Sequence, residues 1–282
     1  MKSFIFNFMS GGFGDYIGRR NLVRLGAFIL RAGRLDIPNC IERNGEILVQ
    51  AEVLKNLENK DVVIVDCGAS WGQWSTQLAT TVRNLTEKQQ LKVFCFEPSS
   101  YTFDKLTNAL NALKSTTIQF TPIKNALSSQ AGSIDLKIVH DGAGTNSLVD
   151  VPGDYDSVEA VIVTTLDEFA KQNNKSHIDL LKIDVEGHDF DVILGAEKLL
   201  NEMKISIIQF EYNWRWIYGK HFLQEAFHFF DERNYCIGKV IPKGIQFYPH
   251  YDVQLESFVE GNYIACTKIW KDRFTSVPSW FE

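Results

Sequence analysis

VVIVDCGASWGQWS, residues 62–75, decides the fold. Val62-Val63-Ile64-Val65 is apolar without alternation, so a strand here is buried on both faces, as in a parallel sheet covered by helices. Asp66-Cys67-Gly68-Ala69-Ser70-Trp71-Gly72 follows as a glycine-bearing turn, and residues 72–83 have helical character. Strand, glycine turn and helix open a doubly wound sheet, whose ligands sit beyond the carboxyl ends of its strands.

The same rhythm continues downstream. Val93-Phe94-Cys95-Phe96 precedes a helix expected over 101–113, and residues 118–123 read as a third strand. Residues 178–183 lead into a helix expected across 189–202, and 205–210 read as another strand. A helix over 221–232, a strand over 235–241, a turn at Pro242-Lys243-Gly244 and a last strand over 263–268 then add an antiparallel hairpin. Residues 132–139 alternate polar and apolar before the turn chemistry of Asp141-Gly142-Ala143-Gly144. They are expected to form a small inserted β-excursion over the open edge of the sheet. The expected fold is α/β: a Rossmann-like, doubly wound, mostly parallel sheet over 46–282, with 1–45 as an N-terminal helical extension.

Composition narrows the function. Of 282 residues, 45% are hydrophobic and 23% charged, the balance of a globular protein with a real core. The net charge of −6 lacks the basic footprint of a nucleic-acid binder. Cys40, Cys67, Cys95, Cys236 and Cys266 are odd in number and form no C-x-x-C pair, so they read as small core residues in a reducing compartment. No apolar run approaches the roughly 18 residues of a membrane span. The first twenty residues fit a signal peptide poorly, and a cytoplasmic location is expected. Residues 16–34 carry Ile17, Leu22, Leu25, Phe28, Ile29 and Leu30 between Arg19, Arg20, Arg24, Arg31 and Arg34. This is a basic amphipathic helix with Gly26 as a weak spot. Its arginines suit a membrane surface or an acidic partner, though a solvated helix face is the more common arrangement.

The first strand ends in D-x-G-x-x-x-G, which lacks the G-x-G-x-x-G fingerprint of pyrophosphate binding. Asp66 ahead of the loop would repel a pyrophosphate and suit a cationic sulfonium with an α-amino group. Glu97 closes the second strand about thirty residues later, where an acid can accept both ribose hydroxyls. Placed before Pro98, Ser99 and Ser100, it also fits the plain role of an acid at a helix N-terminus.

Five blocks in order carry a resemblance: VVIVDCGASWGQWS, VFCFEPSS (93–100), NALSS (125–129), TTLDEF (164–169) and DLLKIDVEGHDFDVILGA (179–196). Over roughly residues 45–270 the chain resembles the FkbM methyltransferases, and K-I-D-V-E-G after a buried strand is the distinctive block. The resemblance implies S-adenosyl-L-methionine as cofactor and transfer to a hydroxyl of a sugar or other small polar acceptor, with a peptide amide as the minority case. It also implies Asp66, Gly68 and Gly72 on the methionine side, Glu97 on the ribose, and Asn125 and Ala126 near the adenine. Ala69, Ser70, Pro98 and Asp184 complete the expected cofactor site. Where the family commonly has Glu two residues after the D-V-E-G glycine, this chain has Asp189, one methylene shorter.

A sugar hydroxyl needs a base or a metal to activate it. Asp184, Glu186 and His188 follow the fourth strand and are the expected catalytic residues, Asp184 foremost because it terminates a buried run. A structural ion pair, a helix cap and an exposed helix-start histidine are their respective plain readings. Lys182, odd inside a buried strand, is expected to pair with Asp184 or another acid. Asp184, Glu211 and Asn213 offer oxygen ligands that would suit Mg²⁺ or Ca²⁺, but no metal is the favoured expectation. For the acceptor, Trp214, Trp216, Tyr218, Phe247, Tyr248, His250 and Tyr251 provide aromatic faces, and Thr145, Asn146 and Ser147 provide hydrogen bonds. About half of the aromatics are expected in the core instead. The competing classes are a dinucleotide-binding oxidoreductase or epimerase and a non-catalytic binding protein. Asp66 and the missing third glycine weigh against the first.

Overall fold

The computed structural model describes residues 2–37, 40–58, 61–85, 89–113 and 115–281. Its contacts divide the chain into one unit ending at Ile37, which takes in Trp280 and Phe281, and a larger unit reaching to Ser279. The helix Glu46–Asn56 belongs to the larger unit. Val49, Val53 and Leu54 of that helix are buried in one cluster with Val62 and Ile64.

In the larger unit, β1 (Asp61–Cys67), β2 (Gln90–Phe96) and β3 (Ile118–Ile123) come first. The short β4 (Ala126–Leu127), β5 (Gly132–Ile138) and β6 (Ser157–Thr164) follow. Then come β7 (Ile178–Ile183), β8 (Ile205–Tyr212), β9 (Tyr235–Ile241), β10 (Gly244–Tyr248) and β11 (Gly261–Thr267). Eight strands form one sheet in the order β10-β9-β11-β8-β7-β1-β2-β3. β1 runs parallel to β2 and to β7, and β7 parallel to β8. The winding reverses between β1 and β7, and this switch point fixes where a ligand crevice opens. All six residues of β7 are buried, Asp179 and Lys182 among them, as in a strand covered on both faces. The Rossmann-like reading of the sequence holds.

The C-terminal antiparallel strands are present, with one more than the sequence suggested. β10 pairs with β9 across the Pro242-Lys243 turn, while β11 lies antiparallel between β8 and β9. The helix expected over 189–202 is two, Asp189–Leu194 and Glu197–Asn201. They break at Gly195, where a Cβ would overlap the Ser128 carbonyl oxygen, so close backbone approach sets the break.

The excursion forms its own three-stranded sheet, β4-β6-β5, around Ala126, Leu136, Ile138, Val161 and Val163. It stands at the strand ends and not over the open edge. Ser147, in the loop after β5, donates from its hydroxyl to the Glu186 carbonyl oxygen at 2.7 Å, and this tie draws the excursion over the loop that follows β7.

Candidate active site

The ends of β1, β2 and β7 and the excursion line one cleft, at the carboxyl ends of the strands where ligands of such sheets sit. Gly68, Ser70, Glu97, Pro98 and Asp184 line it from the main sheet; Asn125, Ala126 and Leu148 line it from the other wall.

The glycine loop is fastened from two sides. The Gly68 and Ala69 amides donate to the Phe96 carbonyl at 3.1 and 2.9 Å. Gly68 has φ 78°, and a Cβ there would overlap the Asp184 carbonyl oxygen, so no other residue lets β1 and β7 end side by side. The buried Glu97 carboxylate accepts the Ser70 amide on one oxygen and the Ser99 amide on the other, each at 3.0 Å. Burial outweighs those two hydrogen bonds and pushes its pKa up to about 7. A carboxylate has about four acceptor positions, so a vicinal diol aimed at Glu97 would find room for both its hydrogens.

Asp66, Ala69 and Gly72 are not among the lining residues. Asp66 is wholly buried, accepts the Ser75 hydroxyl at 2.8 Å, and faces the Lys182 ammonium at 3.6 Å. Asp66 and Lys182 are register partners across β1 and β7, and a buried ammonium needs counter-charge. The acid therefore supports the loop from beneath. Ala69 packs into the core, and Gly72 sits against Leu106.

Lys182 also reaches Asp184, with its Nζ 3.2 Å from Oδ2, so the pairing expected for this lysine is present twice. Burial opposes its charge, but Asp184, Asp66 and Glu46 together hold its pKa above the ordinary lysine value. Asp184 stays partly exposed, with 29% of its side-chain surface accessible, and faces the cavity.

Around Asp184 the acids crowd. One carboxylate oxygen each from Asp184, Glu186 and Glu211 lies within 4.8 Å of the others. Burial first, then the Asp184 charge, pushes Glu186 up to about 8 despite the Arg215 guanidinium 2.9 Å away. The same two causes raise Glu211 well above its usual range. Asn213 does not complete an oxygen set. Its amide nitrogen donates to Glu211 at 2.6 Å, and its carbonyl oxygen accepts the Arg215 amide at 2.9 Å.

His188 is not part of this cluster. Its ring lies 2.8 Å from the Ser128 hydroxyl and 3.3 Å from Asp191, and burial lowers its pKa. Asp191 in turn lies 3.3 Å from His221. The turn explains the separation: Glu186 and Gly187 both have positive φ, 57° and 98°, and swing the chain so that 186 faces the cavity and 188 leaves it. Asp189 folds back beneath the turn and accepts the Gly187 amide at 3.1 Å. The shortened acid therefore serves its own loop, where no greater reach is needed.

Of the acceptor candidates, Trp216, Phe247 and Tyr248 are buried, while Trp214 and Tyr218 are exposed and meet edge to face at 5.9 Å. Asn146 and Ser147 line the cavity; Thr145 is not among the lining residues. Two charged residues escaped the sequence reading. Arg215 bridges Glu186 and Asp154 at 2.9 and 3.0 Å, and its only signal is a cation two residues after Asn213. Glu46, buried and accepting from Gln209 at 3.0 Å, comes from a helix that no pattern tied to the site.

Residues 66–237, more than half of the chain, match the family described as Methyltransferase FkbM domain. The chain belongs to this family. The FkbM match begins at Asp66 and takes in the glycine loop, Glu97, the excursion and the acid cluster. Hexuronic acid methyltransferase AglP of Haloferax volcanii is 27% identical to this FkbM-domain chain over 167 residues, 58% of the chain. The chain spans 62% of that relative's length. Among solved structures, methyltransferase FkbM from Methylobacillus flagellatus is 18% identical with a TM-score of 0.46, over 74% of this chain and 45% of that one. The precorrin-6y C5,15-methyltransferase of Geobacter metallireducens is 12% identical with a TM-score of 0.41, over 79% and 87%.

Proposed function

We propose that this chain is an S-adenosylmethionine-dependent methyltransferase acting on a hydroxyl of a sugar or other small polar acceptor. The observation that carries the reading is one cavity holding Glu97 at one strand end and Asp184 at another. Glu97 would hold the ribose diol, with Gly68 and Ser70 giving backbone approach and Asn125, Ala126 and Leu127 forming the adenine wall. When bound, the cofactor supplies an electrophilic methyl on a sulfonium.

What remains for the chain is positioning and proton removal. Asp184, its carboxylate turned to the cavity, takes the acceptor's proton. The buried Lys182 ammonium holds that side chain in place. Glu186, its pKa raised by burial and the nearby Asp184 charge, would in its protonated form donate a hydrogen bond to a second acceptor oxygen. The name of the Haloferax volcanii relative supports a sugar acid as acceptor class.

The test is turnover of labelled S-adenosylmethionine against a panel of hexuronic acids, neutral hexoses and peptide amides, with competing titrations of NAD. Product from the sugars with no NAD binding supports the reading. Binding of NAD in place of S-adenosylmethionine, or product from peptide amides alone, would sink it.

A further inference from the structure

The first unit carries a surface for which methyl transfer has no use. The helix Arg19–Arg34 buries none of its residues, and neither does the helix Lys2–Phe8. Arg20, Arg24 and Arg31 recur at spacings of four and seven on one face of the longer helix. Leu22, Leu25 and Ile29 recur at three and four on the opposite face. Phe4, Ile5, Phe6 and Phe8 of the first helix are exposed, as are Phe28 and Ile29 of the second. Residues 2–37 hold six Lys and Arg against Asp15 and Asp36, a net +4, in a chain whose total is −6.

We propose that this unit is a docking surface for an anionic lipid bilayer, lying in the plane of the headgroups. Exposed aromatics beside a leucine stripe suit the acyl boundary, and a row of arginines on the far side suits lipid phosphates. Among the described residues no helix is long and apolar enough to cross a membrane, so the contact is peripheral. Charge selects the occupant: two copies of this basic segment repel one another, whereas an anionic surface attracts each.

Cosedimentation of the full chain with vesicles tests this, comparing pure phosphatidylcholine with a mixture containing about one-third phosphatidylglycerol. We expect at least tenfold tighter binding to the anionic vesicles, weakened by raising the salt from about 0.1 to 0.5 M. Replacing Arg20, Arg24 and Arg31 together by Gln, or Phe4 and Phe6 together by Ser, should each remove tenfold or more. All five side chains are exposed, and circular dichroism shows whether the fold is kept. Equal binding to neutral vesicles, or none to either, overturns the proposal. So does a concentration-dependent dimer in ultracentrifugation that Leu25→Glu abolishes, because the face would then belong to a second copy. None of these readouts depends on the acceptor or on turnover.

Discussion

The Glu97 carboxylate accepts the Ser70 amide at 3.0 Å, so the end of β2 holds the glycine loop that leaves β1. The proposed diol site and the position of the loop are thus tied to one side chain. Glu97→Ala should weaken S-adenosylmethionine and S-adenosylhomocysteine by at least tenfold, about 1.4 kcal/mol, in calorimetry. Unchanged affinity in a folded variant would remove Glu97 from the site.

The same group predicts a pH dependence. In the free protein Glu97 keeps its proton up to about pH 7, while accepting two hydroxyl hydrogens requires the ionised form. Binding must then release a proton, and affinity should rise from pH 6 to 8 before levelling. Glu97→Gln should flatten that slope. A wild-type affinity that stays constant across this window contradicts the assignment.

Asp184→Asn keeps shape while removing basicity. It should lower kcat by about 10²–10⁴, the scale of general-base loss, with cofactor affinity nearly intact. If affinity falls as far as the rate, Asp184 belongs to cofactor binding and another group takes the proton.

Lys182 is buried between Asp66 and Asp184. Lys182→Met should cost about 3–5 kcal/mol in urea denaturation, because it strands buried carboxylate charge. Adding Asp66→Asn should recover part of the loss. Equal stability of wild type and Lys182→Met would show that the ammonium is not needed for folding.

The acid cluster raises the question of a cation. Asn213 has committed both ends of its amide, and Lys182 and Arg215 already stand against Asp184 and Glu186. Turnover should therefore survive EDTA treatment. Loss of activity in EDTA with recovery on Mg²⁺ or Mn²⁺ would instead make the three carboxylates a metal site.

Much of this was readable from the residues because β1, β2, β7 and β8 are largely apolar without regular alternation, and such segments at strand–helix spacing admit few architectures. The same absence of alternation hid which way Asp66 faces: a strand buried on both sides gives no polar face to orient it. Its full burial against Ser75 and Lys182, the latter on a strand more than a hundred residues away, is what the tertiary structure adds. His188 was misplaced for a different reason. Whether position 186 or 188 faces the ligand depends on the left-handed backbone at Glu186 and Gly187, and nothing in a glutamate announces a positive φ. β10 went unread because Gly244–Tyr248 is a short segment whose aromatics suited a binding loop equally well.

The wall contributed by β4, β5 and β6 hydrogen-bonds as a sheet of its own and shares no ladder with the eight-stranded one. Substitutions in the loop between β5 and β6 therefore leave the register of β1, β2 and β7 untouched. Residues 143–148 can change there while Glu97 and Asp184 stay in place. The wall and the strands that carry Glu97 and Asp184 are thus separate hydrogen-bonded units.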